Sequence, residues 1–264
     1  MPPRLGQHFL KDRSVLSAIA DALALTSDNA VLEIGPGHGE FTRILLEKFP
    51  KMHLVAIEKD VRLAETLHKT FPRSQFPNFK IIEGDVRLCL IDVVADIKKG
   101  DFKVVGNIPY YLTGYLFRLL GELPQKPRRS VFLIQKEVAE RAIATPPRMN
   151  ILASTLQIWV SPTIILNVPA HLFSPPPKVE SAVICLVTRS SIPDLKFLTR
   201  YFAFVRILFR QPRKTALNNL VDGGVAKKAV ILTVFHALSI LPTSRPQDFS
   251  ITSIITLAKA LRCL

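Results

Sequence analysis

The sequence predicts an α/β sheet domain followed by a small all-helical C-terminal unit, and three observations predict it. Short apolar, β-branched runs at 30–34, 53–57, 80–83, 102–105 and 130–134 are interspersed with helical stretches at 40–48, around 116–120 and at 135–141, which is the pattern of strand-helix units. The first three of these runs end, in order, in a glycine-rich turn, in Glu58 and in Gly84-Asp85, so potential ligand groups gather where the strands of such a sheet bind ligands. Finally, Ser190-Ser191-Ile192-Pro193 reads as a linker, and the pattern beyond it is helical. The expected domains are therefore 1–189 and 190–264.

A chain of 264 residues with 48% hydrophobic composition can bury a sizeable core. Its formal charge of +14 is uneven: residues 190–264 carry eleven Lys and Arg against three Asp and no Glu, a net +8 in the shorter segment. Such an excess on a separate unit points to a polyanionic partner. Cys89, Cys185 and Cys263 are far apart and odd in number, which predicts no disulfide framework, no metal site and a reducing cytoplasm. The longest apolar run, Ala229 to Leu241, is too short to cross a bilayer, and the first residues lack the apolar core of a signal peptide.

In chain order, a short arm with His8, Phe9 and Leu10 precedes a helix whose apolar positions are Val15, Leu16, Ile19 and Leu23. The strand Ala30 to Ile34 runs into Gly35-Pro36-Gly37-His38-Gly39 and a helix from Glu40 to Lys48. Glycines let backbone approach a ligand, and the helix start offers unpaired N–H groups. The spacing is not that of a dinucleotide-binding turn, which disfavours a pyrophosphate. Glu58, nineteen residues beyond Gly39, can accept two ribose hydroxyls, and Asp85 can accept an adenine amine or serve as a helix N-cap. Glycine turn, first acid and second acid together describe a nucleoside pocket without a diphosphate, as S-adenosylmethionine requires.

The fourth strand delivers Asn107-Ile108-Pro109-Tyr110 to the same edge. An exocyclic amine on a nucleobase is a poor nucleophile because its lone pair is delocalised into the ring, and acceptors on its N–H bonds localise that pair. The Asn107 side-chain carbonyl and a backbone carbonyl beside Pro109 can supply them, since proline fixes φ and brings no N–H of its own. Tyr110 offers a π-face for a base taken out of its stack. Further on, Gln135 to Arg141 and Leu152 to Trp159 read as helices, and 163–168 and 181–187 as strands. Between those strands lies Phe173-Ser174-Pro175-Pro176-Pro177-Lys178-Val179, in which Phe173 either faces Tyr110 across a base or anchors the loop in the core. In the C-terminal segment Arg206, Arg210, Arg213 and Lys214 form a cationic face suited to phosphates.

With these residues in view, the chain resembles the KsgA-type rRNA adenine N6,N6-dimethyltransferases over nearly its full length. The likeness rests on Gly6 to Leu10, Glu33 to Gly39, Asn107 to Tyr110, Gln135 to Val138, Phe173 to Val179 and Arg213-Lys214-Thr215. It implies a Rossmann-like class I methyltransferase sheet, with His8 and Leu10 lining the cofactor, Gly35 and Gly37 beside its methionine part, Glu58 at the ribose, Asp85 at the adenine and Asn107 touching both cofactor and target. It also implies a monomeric enzyme that dimethylates two adjacent adenosines in the 3′-terminal hairpin of small-subunit rRNA in immature subunits. Met149-Asn150 replaces the Tyr-Gly usual before the Leu152 helix, and Pro212 stands where an Arg is usual. Three other readings are an enzyme acting on large-subunit rRNA, a non-enzymatic RNA-binding factor and a small-molecule methyltransferase. The proline run, the intact glycine turn with both acids and the C-terminal charge argue against them in turn.

Overall fold

The computed structural model describes residues 8–26, 30–97 and 102–261. Its sheet is built from strand-helix units that start after a short arm strand, β1 (Phe9–Leu10), and a first helix, α1 (Arg13–Ala22). The units are β2 (Ala30–Ile34) with α2 (Glu40–Lys48), β3 (His53–Glu58) with α3 (Val61–Thr70), β4 (Phe79–Glu83) with α4 (Val86–Asp96), and β5 (Phe102–Asn107) with α5 (Thr113–Glu122). Then come β6 (Arg129–Gln135), α6 (Lys136–Ala142), α7 (Ile151–Gln157), β7 (Val160–Val168), β8 (Phe173–Ser174) and β9 (Ser181–Thr188). Four helices follow: α8 (Leu195–Leu208), α9 (Ala216–Asp222), α10 (Lys228–Ala237) and α11 (Ile251–Ala260).

The seven-stranded sheet has the order β4-β3-β2-β5-β6-β9-β7. Its first five strands pair in parallel, while β9 runs antiparallel to β6. The central strands β2, β5 and β6 are buried almost throughout, which explains why they read as unbroken apolar runs. The edge strand β7 instead alternates half-buried and exposed positions between its two buried ends. The chain reverses its direction of winding between β2 and β5, so the crevice beyond their C-terminal ends is the natural ligand position. The two backbones approach closely there: a Cβ on Gly106 would lie 2.5 Å from the Ile34 carbonyl oxygen.

Helix starts are set locally. Asp12, Asp60 and Asp85 cap α1, α3 and α4, each accepting a backbone N–H two or three residues on. The sequence reading assigned no helix to α3 or α4. Helix α4 carries little amphipathic signal because apolar residues occupy most of its circumference. The two-residue pair β1–β8, which joins Phe9 to Ser174 and Leu10 to Phe173, was likewise illegible in the sequence. It turns the arm and the proline loop into one structure.

Among the described residues, those within 1–139 and 162–188 form one compact unit, and those within 140–161 and 189–264 form another. A single cut after residue 189 therefore misses the segment 140–161, which packs with the C-terminal helices. Gln157 braces the segment internally, its amide donating to the Ala142 and Ala144 carbonyls at 3.0 and 2.9 Å. The Tyr201 hydroxyl donates to the Ser154 carbonyl at 3.2 Å, and Tyr201 and Trp159 are fully buried. The Met149-Asn150 departure has a local account in the same unit. Asn150 caps α7, accepting the Ala153 N–H, while Met149 is buried and donates its N–H to the Gln247 carbonyl.

Candidate active site

One pocket opens at the C-terminal ends of β2, β3, β4 and β5, and its lining includes His8, Leu10, Gly35, Gly37, Glu58, Asp85, Asn107 and Pro109. These residues are separated by up to about a hundred positions in sequence, and the sheet's strand order brings them together. Phe9 closes the arm over the glycine turn: its ring lies 4.4 Å from that of His38, and a Cβ on Gly37, whose φ is +61°, would sit 2.8 Å from a Phe9 ring carbon. Any side chain at Gly37 would strain the turn and displace the arm.

Glu58 is buried, 4% exposed, at the end of β3. One carboxylate oxygen accepts the Gly37 N–H at 3.1 Å and the other the Asp60 N–H at 2.9 Å. Burial pushes its carboxyl above the usual range, and these backbone donors oppose that shift. The carboxylate is thus aimed by main chain, and its two oxygens, with about four acceptor positions between them, retain capacity for a ligand hydroxyl.

Asp85 is differently placed. It caps α4 through the Arg87 N–H at 3.0 Å, and its oxygens also receive the Arg87 guanidinium and, at 3.0 Å, the Lys59 ammonium. The Arg87 hydrogen bond holds this carboxyl well below the ordinary carboxylate range. Asp85 therefore reaches the pocket as an N-cap whose acceptor positions are engaged, and an adenine amine would have to share it with Arg87 or Lys59. Neither cation was foreseen as a site residue, although an Arg two positions after an N-cap Asp is the signal that could have found it.

Asn107 ends β5, where its Nδ2 donates to the His8 carbonyl at 2.8 Å. That bond orients the amide and aims Oδ1 as an acceptor. The Pro109 carbonyl accepts the Leu112 N–H at 2.8 Å. Among the described residues no such bond is made by the Ile108 carbonyl, which leaves it as the backbone acceptor beside the ring. His8 is held to the proline loop, its Nδ1 lying 2.8 Å from the Pro175 carbonyl.

Glu33, quoted above only as part of a motif, also lines the pocket. It accepts the Thr42 hydroxyl at 2.7 Å, which ties β2 to α2, and full burial pushes its carboxyl up to about 8. Phe173 does not line the pocket. It is 5% exposed, paired to Leu10 and packed in the core, so of its two readings the coordinates take the core anchor. Its neighbour in the ladder, Leu10, covers the pocket in its place. The side chain of Tyr110 lies outside the described residues, and its backbone forms the short 3-10 turn Tyr110–Leu112.

Arg206, Arg210, Arg213 and Lys214 are all exposed in the helical unit. Lys214 has an acid partner that the sequence stretch did not reveal, because Asp222 comes back to it at 3.1 Å.

Residues 2–262 match the ribosomal RNA adenine dimethylase family. The chain belongs to that family. It is 37% identical over 268 residues to the ribosomal RNA small subunit methyltransferase A of Geobacillus thermodenitrificans (strain NG80-2), covering 97% of this chain and 89% of that one. Its identity to the protein of the same name from Chlorobium phaeobacteroides (strain BS1) is 35%, covering 99% and 94%. Among solved structures, a dimethyladenosine transferase from Plasmodium falciparum superposes with a TM-score of 0.80 at 25% identity, covering 96% of each chain. The 23S rRNA methyltransferase ErmE superposes with a TM-score of 0.72 at 24% identity, covering 96% of this chain and 99% of that one, a likeness of fold. Both bear out the class I methyltransferase architecture. No described helix is long and apolar enough to cross a membrane, and the described residues contain no cluster suited to a metal ion.

Proposed function

We propose that this chain uses S-adenosylmethionine to dimethylate the N6 amines of two adjacent adenosines in the 3′-terminal hairpin of small-subunit rRNA, acting as a cytoplasmic monomer on immature subunits. The observation that carries the reading is Asn107, held by its bond to His8 in the same pocket as Glu58 and the glycine turn, in a member of this family.

S-adenosylmethionine supplies an electrophilic methyl group. The residues fit its nucleoside end: the Glu58 carboxylate, aimed by main-chain N–H groups, accepts from the ribose, while Gly35 and Gly37 keep the turn clear of side chains beside the methionine part. His8 and Leu10 cover the pocket, and Asp85 meets the adenine only by sharing its carboxylate with Arg87 or Lys59. Asn107 Oδ1 and the Ile108 carbonyl accept from the target amine and so localise its lone pair. No general base is needed, because the surplus proton can leave to water after transfer. Pro109 sets the turn that presents these acceptors, Tyr110 supplies a stacking face, and Phe173 supports Leu10 from the core. In the helical unit Arg206, Arg210, Arg213 and Lys214 contact phosphates, so that RNA shape selects the adenosines. The catalytic unit is then 1–139 with 162–188, and the RNA-binding unit 140–161 with 189–264.

The test is mass spectrometry of nucleosides from immature small subunits, large-subunit rRNA and free adenosine, each incubated with enzyme and cofactor. N6,N6-dimethyladenosine is expected from the subunits alone and from none of them with Asn107→Ala. Dimethylation confined to large-subunit rRNA or to adenosine would overturn the substrate assignment. Reversing Arg206 and Arg210 to Glu should weaken RNA binding and flatten its salt dependence by about one unit of logarithmic slope per lost phosphate contact.

A further inference from the structure

We infer that Arg87, Tyr111, Tyr115 and Arg118 form a stacking rim at the pocket mouth that takes the unpaired nucleotides flanking the target adenosine. The inference rests on the reading of the substrate as RNA.

All four residues lie within the sheet unit. Arg87 and Tyr111 line the pocket, yet Tyr111 is also 65% exposed and so continues the pocket surface outward. Tyr115 and Arg118 lie four and seven positions further on, which puts them on the same face of α5 and its leading turn. The Arg118 guanidinium sits over the Tyr115 ring, 5.3 Å from its centroid. The strip thus runs from Arg87 and Tyr111 at the pocket edge to Tyr115 and Arg118 along α5. Beside Arg87 on α4, Leu88 and Ile91 are exposed as well.

Two physical arguments choose the occupant. First, both guanidiniums already have acid partners: Arg87 is bound to Asp85, and Arg118 lies 3.9 Å from Glu122. Neither is a bare cation, and a guanidinium brings a planar face as well as a charge. Planar faces of Tyr and Arg suit unstacked bases, whose π-surfaces can be gripped without regard to sequence. Second, a base that leaves its stack to enter the pocket strips its neighbours of one stacking partner. Planar groups at the mouth replace that partner where it is lost, which lowers the cost of extruding each adenosine. The C-terminal basic face answers phosphates, whereas this rim answers bases.

The test is steady-state methylation of immature small subunits by the full chain, with Tyr115→Ala and Tyr115→Phe beside the parent. Loss of one stacked base should raise KM for the subunits by roughly 5- to 150-fold in Tyr115→Ala, with kcat much less affected. Tyr115→Phe should restore KM, and the ratio between Ala variant and parent should hold from low to high salt, because stacking does not release counterions. Calorimetric affinity for S-adenosylmethionine should match the parent in both variants. If the parent methylates the subunits and Tyr115→Ala has the same KM, or if the KM ratio collapses with salt, the rim is wrong while the function stands. If the parent methylates no RNA at all, the functional reading fails and the rim falls with it.

Discussion

Glu58 is the last residue of β3 and Asp85 follows two residues after the end of its parallel neighbour β4, yet the two acids are held in opposite ways. Glu58 is buried and positioned by two neutral backbone donors, and burial raises its carboxyl. Asp85 lies nearer solvent, grips two cationic side chains, and is pulled down by the first of them, Arg87. A carboxylate aimed by main chain is pre-organised and still has acceptor positions, whereas one saturated by cations must give up a partner before it can meet a ligand. Residue type and strand position alone would have made the two equivalent.

The largest expected difference is in cofactor affinity. Glu58→Ala should weaken S-adenosylmethionine binding by about 1–3 kcal/mol, or roughly 5- to 150-fold, since it leaves ligand hydroxyls and the Gly37 N–H without their acceptor. Asp85→Ala should weaken it by a clearly smaller factor, because Arg87 and Lys59 already occupy that carboxylate. Calorimetry on both variants decides, and equal losses would remove the distinction.

The pair also predicts opposite responses of stability to pH. A raised carboxyl favours the protonated form in the folded state, so its contribution is present below the ordinary carboxylate range and is lost as pH climbs through its folded value. For Glu33 that value is about 8, and Glu58 adds in the same direction. Asp85 contributes above the ordinary range and loses its contribution as pH falls through its lowered value. Urea unfolding of Glu33→Gln should therefore show a flatter decline between about pH 5 and 8 than the parent. A parallel decline would place the titration elsewhere.

Asp85 should matter more to folding than to binding. Asp85→Ala removes the cap of α4 and should cost about 0.5–2 kcal/mol of stability, while Asp85→Asn keeps a capping oxygen and should cost less. Thermal unfolding separates the two variants. At the small end, the exposed pair of Lys214 with Asp222 resembles the Asp85 cluster in chemistry but has no burial behind it. Lys214→Ala should change stability by no more than about 1 kcal/mol, and a larger loss would show that exposure is a poor guide to these pairs.

The sequence by itself determined the five parallel strands, the glycine turn, the two acids and Asn107 at successive strand ends, because each is written locally in periodicity, in a turn residue or in a short spacing; helices α3 and α4 were not legible in it. It determined the family as well, through motifs spread over nearly the whole chain. Other features depended on residues far apart. Phe173 became a core residue because β1 pairs with β8, and a two-residue ladder leaves no periodic trace. The segment 140–161 joined the C-terminal helices through buried contacts such as Tyr201 with Ser154, forty-seven positions apart, that no composition shift announces. Asp85 could be read equally as ligand acceptor or as helix cap until three-dimensional packing brought Lys59 across from the end of β3 and folded Arg87 back onto its carboxylate. Local patterns carry which groups are available at a strand end; only the packed sheet decides which of them have already been claimed by a neighbour.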